Sequence, residues 1–243
     1  MFKGPLIEIF ELLFSSSKTD IQVMSVVLSL FSVLVIIFVV FPIHECAHGL
    51  MAKMLGDDTA ERQGRLTLNP FAHIDPLGAL AMLICRIGWA KPTPVDLRRC
   101  TKVKARTALA LTSLAGPVSN ILLGYVLIII QKVIMLNIPL ADYFSGSAAY
   151  YVALGIGITI QINIYLAVFN LIPIPPFDGF NILSSFLPYK AVAFMQRYQQ
   201  VIYLVFFGLL VFGALDKPLG YATDGIMWLL DKASFFIPEP SFI

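Results

Sequence analysis

The chain has 243 residues, 58% of them hydrophobic and 13% charged, with a formal net charge of +2 and a mean hydropathy of +0.83. A soluble domain carries about 25% charged residues, so this chain has too little charge to clothe a surface in water, and its near-neutral balance does not point to nucleic acid. An integral membrane protein is the class that remains.

In chain order, "PLIEIFELLF" (Pro5 to Phe14) is a short apolar run, of the ~10–14-residue length expected for interfacial or re-entrant segments. "IQVMSVVLSLFSVLVIIFVVFPI" (Ile21 to Ile43) has no charge and reaches the roughly 20 residues that a crossing helix needs. It is too long for the apolar part of a signal peptide. "HECAH" (His44 to His48) follows it directly. Two short strand-like pieces come next, "GRLTLN" (Gly64 to Asn69) and "WAKPTPV" (Trp89 to Val95), either side of the apolar "PLGALAMLICRIGWA" (Pro76 to Ala90). The latter suits a re-entrant segment.

Further crossings are predicted at Ala108 to Ile130, Ala148 to Ile172 and Val201 to Leu215, with a last short apolar piece at Gly225 to Leu230. The expectation is an all-α polytopic membrane protein with four transmembrane helices, five or six if the weaker pieces cross, and a strand-like hairpin near the HECAH helix. Between positions 91 and 106, Lys91, Arg98, Arg99, Lys102, Lys104 and Arg106 stand against Asp96 alone, whereas 137–147 has no Lys or Arg. The positive-inside rule makes the first loop cytoplasmic, which puts HECAH near the cytoplasmic boundary of the cell membrane. Cys46, Cys85 and Cys100 are odd in number and irregularly spaced, so no disulfide framework is expected.

On a helix at about 100° per residue, His44 and His48 lie one turn apart, about 40° from eclipsed, and their imidazoles can close on one ion. Glu45 sits beside that ion, where a carboxylate can take a proton from water. Satisfied core residues would explain such a triplet in a soluble helix. At the edge of a bilayer, ionisable groups are costly and read as functional. A catalytic zinc site wants a third protein ligand and an open position. Asp178, in "FNLIPIPPFDGF" (Phe169 to Phe180), is the stronger candidate, because Pro173, Pro175 and Pro176 break the helix there and a break at membrane depth must face protein or water. His73 and Asp75, in "NPFAHIDP", are explained by turn chemistry.

Taken in order, "HECAH", "GRLTLNPFAHIDPLGAL" (Gly64 to Leu80), "GWAKPTPV" (Gly88 to Val95), "AGPVSN" (Ala115 to Asn120) and "FNLIPIPPFDG" resemble the site-2 protease family of intramembrane zinc metalloproteases. The likeness runs from about His44 to Pro188 and is closest to the short prokaryotic branch without PDZ or CBS domains. It implies one Zn2+ per chain, held by His44, His48 and Asp178, with Glu45 as catalytic base. It further implies that Asn170 helps to polarise the scissile carbonyl. Asn120 matches a family asparagine, but an amide hydrogen-bonding between helices accounts for it better; for Asn170 the two readings weigh equally.

The organisation that follows is an N-terminal interfacial or short membrane segment (1–20), a catalytic membrane core (21–188) and C-terminal membrane segments (189–243), with no separate soluble domain. The expected substrates are single-span or other membrane proteins, cut within or near a transmembrane segment. One of the strand-like pieces is expected to pair with the unwound substrate by strand addition. A divalent-metal transporter and a non-catalytic binder of membrane segments are the competing functions; the spans show no polar path across the bilayer for the first, and the presence of Glu45, both histidines and Asp178 does not point to the second.

Overall fold

The computed structural model describes residues 5–14, 20–85, 88–139 and 148–238. Residues 1–4 and 15–19 of the N-terminal stretch, and 140–147 of the loop without basic residues, lie outside the described residues. Helices dominate throughout: α1 (Pro5–Phe14), α2 (Asp20–Val35), α3 (Phe41–Leu55), α4 (Thr59–Arg62), α5 (Pro76–Cys85), α6 (Ala105–Leu136), α7 (Ala148–Asn170), α8 (Asp178–Phe186), α9 (Tyr189–Arg197), α10 (Gln199–Val211) and α11 (Asp216–Ala233).

Helices α2 and α3 form one continuous apolar rod, joined by a π-helical turn at Ile36–Val40 in which the Phe41 N–H reaches back to the Ile36 carbonyl. The cause is local. Pro42 has no N–H for the carbonyl four residues earlier, and its ring crowds that carbonyl, so the backbone widens just before the HECAH turn. Such widened turns recur at functional sites.

Three described helices are long and apolar enough to cross a membrane: Val26–Leu55, Ala105–Leu136 and Ala148–Asn170. The fourth predicted crossing differs in form. It is α10 and α11 bent by 83°, so the apolar run at Val201 to Leu215 ends at a turn instead of continuing straight. The re-entrant prediction coincides with α5, whose first turn is closed by Asp75 accepting from the Gly78 N–H at 2.9 Å. The strand-like hairpin is reduced to one antiparallel bridge between Ile74 and Ala90; no strand forms among the described residues. Proline at 92 and 94 interrupts any ladder there.

Helix α6 is the hub, packed against α3, α7 and α8. Its buried face reads Ala108, Thr112, Gly116, Asn120, Gly124 and Ile128, one residue every four. Its exposed face reads Leu114, Val118, Leu122, Val126 and Ile130 at the same spacing. Small and polar residues inside with large apolar ones outside is the pattern expected when lipid, not water, surrounds a bundle and close packing holds it together. The chain is a membrane protein.

Between α6 and α7 the Asn163 amide donates to the backbone carbonyl of Asn120. The bond between helices expected at Asn120 is therefore made by its main chain. The Asn120 side chain is buried without a partner among the described residues. Cys46 and Cys100 are free thiols.

Candidate metal centre

Two elements bring the expected ligands together, and both lean on α6. Helix α3 presents His44 and His48, whose Nε2 atoms stand 3.0 Å apart. Asp178 opens α8, immediately after the proline-rich turn, and its Oδ2 lies 3.2 Å from His44 Nε2 and 3.4 Å from His48 Nε2. These three atoms come from segments 130 residues apart in sequence, His48 to Asp178, yet form a nearly equilateral triangle.

That triangle is a test of fit for zinc. Ligands bonded at ~2.0–2.1 Å at the corners of a tetrahedron stand about 3.3–3.4 Å apart, close to the observed edges. Two neutral imidazoles and one carboxylate are also the donor set that leaves a tetrahedral ion one open position. The lone pairs are directed accordingly. His48 Nδ1–H donates to the Thr112 carbonyl at 2.7 Å, which fixes the tautomer and leaves Nε2 free to bind a metal. His44 Nδ1 is buried with no partner among the described residues, so that ring, edge-on to His48 with centroids 4.6 Å apart, is held by packing and by its Nε2 contacts with Asp178 and His48.

Room for the two rings is made by the absence of a side chain on α6. A Cβ at Gly116 would lie 2.5 Å from His48 Nε2 and 2.6 Å from His44 Cε1. The next residue, Pro117, has no N–H for the carbonyl of Ser113, in the turn beside the Thr112 carbonyl that His48 uses. Gly179 does for Asp178 what Gly116 does for the histidines: a Cβ there would collide with the Leu171 carbonyl.

Glu45 points into the same space. Its ligand atom lies within 4.8 Å of those of both histidines, and its Oε2 accepts from the Thr93 N–H at 2.7 Å. A cavity of ≈ 400 Å³ opens over the cluster, lined by His44, Glu45, His48, Asp178 and Asn170 together with Thr93 and Asn181. Asn170 keeps one amide N–H on its own helix, bonded to the Leu166 carbonyl at 3.0 Å. His73 is remote in role. It is fully buried, bonds the Thr67 carbonyl at 2.8 Å, and with Asp75 serves the turn before α5. Asn120 does not line the cavity, and neither does Cys46.

The segment 91–96 runs over the cavity and is tied down along its length. Lys91 N–H donates to the His73 carbonyl at 2.8 Å. The carbonyls of Lys91 and Pro92 accept from Arg65 Nη2 at 2.5 and 3.2 Å. Asp96 N–H donates to the fully buried Asp57 at 2.7 Å. Hydrogen bonds from Arg98 hold the partly buried Asp96 carboxyl below its ordinary value. The segment is thus anchored at Lys91, Pro92, Thr93 and Asp96. Sequence reading had missed Arg65, Thr93, Gly116 and Asn181 as parts of this site; for Gly116, the small residues repeating every four along α6 were the available signal.

The family model described as "Peptidase family M50" matches residues 132–213, the part that includes Asn170 and Asp178. Relatives named "Putative zinc metalloprotease" include the following three. YwhC of Bacillus subtilis (strain 168) is 42% identical over 197 residues, covering 79% of this chain and 84% of that protein. Rip2 of Mycolicibacterium smegmatis is 27% identical over 192 residues, covering 78% and 69%. MJ0611 of Methanocaldococcus jannaschii is 35% identical over 72 residues, covering 30% and 31%. No solved structure matches the chain significantly. With two-fifths identity sustained over four-fifths of YwhC, the chain belongs to peptidase family M50, the site-2 protease family its motifs resemble.

Proposed function

We propose that the chain is an intramembrane zinc metalloprotease that hydrolyses peptide bonds within or near transmembrane segments of membrane-protein substrates. The observation that carries this reading is the triangle of His44, His48 and Asp178, with a separate carboxylate, Glu45, at its side. His44, His48 and Asp178 hold one Zn2+; when bound, it supplies Lewis acidity at the scissile carbonyl. Asp178 brings one negative charge to the dication, and Glu45 brings a second that stays outside the ligand triangle.

Glu45 takes the proton of the attacking water at its carboxylate and returns it to the departing amine nitrogen. The Thr93 N–H, bonded to Oε2, holds that carboxylate over the cavity. Asn170 is placed to share the charge that grows on the carbonyl oxygen, through whichever amide hydrogen Leu166 does not use. A substrate helix hides its peptide bonds in its own hydrogen bonds, so the segment to be cut enters the cavity unwound.

Three helices of crossing length, α2–α3, α6 and α7, support a multi-pass reading, and the basic loop at 91–106 supports a metal site on the cytoplasmic side. In this reading 21–188 is the catalytic core, with 1–20 and 189–243 at its periphery.

The test is reconstitution of the purified protein with a single-span substrate. Glu45→Gln keeps about one zinc per chain and loses cleavage by ~10²–10⁴-fold, the usual weight of a general base. His44→Ala and Asp178→Ala lose the metal itself. Metal flux through vesicles that survives Glu45→Gln, without cleavage in the parent protein, would establish a transporter instead.

A further inference from the structure

The Pro92–Thr93 peptide group touches two side chains at once. Its N–H donates to Glu45 Oε2 at 2.7 Å, and its C=O accepts from Arg65 Nη2 at 3.2 Å. Arg65 is only 7% exposed, and no carboxylate among the described residues pairs with it. Its Nη2 also bonds the preceding carbonyl, that of Lys91, at 2.5 Å, while Nε has no partner among the described residues. A buried guanidinium without a counter-ion is costly, and here its charge is spent on two consecutive carbonyls of one segment.

We infer that Arg65 is a positioning residue for the reaction, acting on Glu45 through the Pro92–Thr93 peptide; the inference rests on the metalloprotease reading. Hydrogen bonds in series polarise one another. A cation on the C=O side makes the N–H on the other side a better donor to a carboxylate. The geometry also fixes direction. Pro92 and Pro94 leave Thr93 as the one residue from 92 to 94 with an N–H, so the segment offers Glu45 a single donor, and Arg65 decides where that donor points. Glu45 has rotamers that would swing its carboxylate away from the cavity; the peptide held by Arg65 selects against them.

The test uses full-length protein in proteoliposomes with a single-span substrate, with Glu45→Gln as the silent reference. Arg65→Met lowers kcat about 10- to 100-fold with KM changed less than about threefold and zinc content retained, the scale on which a small misplacement costs rate. Arg65→Lys, which still offers an ammonium to the carbonyls, recovers most of the loss. Thr93→Pro, which deletes the N–H, turns over at least about tenfold more slowly than Thr93→Ala, which keeps it. In Arg65→Met/Thr93→Pro the loss is no greater than in the worse single variant, because both act on one contact.

A second readout needs no metal. In metal-free protein, amide exchange at Thr93 is slow, and it accelerates in both Arg65→Met and Glu45→Ala. Losses that multiply in the double variant, or a Thr93→Pro variant as fast as Thr93→Ala, overturn the inference. So does a Thr93 amide that exchanges freely in the parent chain, whether or not that chain cleaves. If Arg65→Met does not accumulate as folded protein, Arg65→Lys and the two Thr93 variants decide it. Parent protein that cleaves and a silent Glu45→Gln leave the protease reading standing whatever Arg65 does.

Discussion

Gly116 shows how narrowly a single position bounds the metal centre. The histidines approach α6 so closely that even a methyl group would sit 2.5 Å from His48 Nε2. Gly116→Ala is therefore expected to weaken zinc binding by about 10- to 100-fold, the range seen when groups around metal ligands are disturbed. Circular dichroism should be unchanged, because alanine is a better helix former than glycine. Metal analysis after dialysis checks this; full zinc retention with normal cleavage would show that the rings can move aside. His44 offers a useful contrast with His48. Only His48 has a carbonyl on its Nδ1 side to orient it; His44 is held by Asp178 at its Nε2 and by packing against that glycine.

At the level of elements, the site depends on two breaks in regular helix, one on each side. The π-helical turn before Pro42 sets the angle at which α3 presents its histidines. The proline-rich turn and Gly179 set where α8 begins, and hence where Asp178 lies. A Cβ at Gly179 would meet the Leu171 backbone, which cannot yield as a flexible side chain would. Gly179→Ala is expected to push α8 away from α7, losing zinc by tenfold or more on the same scale as disturbed ligand surroundings while α3 and α6 keep their packing. Equilibrium dialysis with zinc, paired with amide exchange in α8, separates this from general unfolding.

Across the whole molecule, the C-terminal helices are attached more lightly than the core. Helix α11 packs on α7 and reaches α6 through Lys132 Nζ to Asp231 Oδ1 at 2.7 Å and the Tyr125 hydroxyl donating to the Ala233 carbonyl at 3.1 Å. The Lys132 side chain is 14% exposed and that of Asp231 39%. An ion pair with one partly solvated member is worth about 1 kcal/mol or less. Lys132→Ala and Asp231→Ala should each lower the Tm in detergent by a few degrees at most, with no further fall in the double variant, and leave zinc content untouched. A loss of zinc on breaking that pair would mean that α11 braces the metal centre, contrary to the peripheral role proposed for 189–243.

The sequence by itself determined the class and the crossings at Ile21, Ala108 and Ala148, and it named His44, His48 and Asp178, the residues proposed here as ligands. Each of these rests on information carried in one stretch: hydropathy over a window, a four-residue spacing, or prolines in a row. The tertiary structure decided what depends on two stretches meeting. It showed that α10 turns by 83° instead of crossing straight on. It bound the "WAKPTPV" segment to Arg65 and Glu45, contacts that its residue pattern does not announce. It also made Gly116, ordinary in sequence, the wall of the site. Hydrogen bonds from a main-chain N–H or C=O leave no mark on residue type, and close approach is marked only by a side chain that is missing. Those contacts become visible when α3, α6 and α8 are seen packed together.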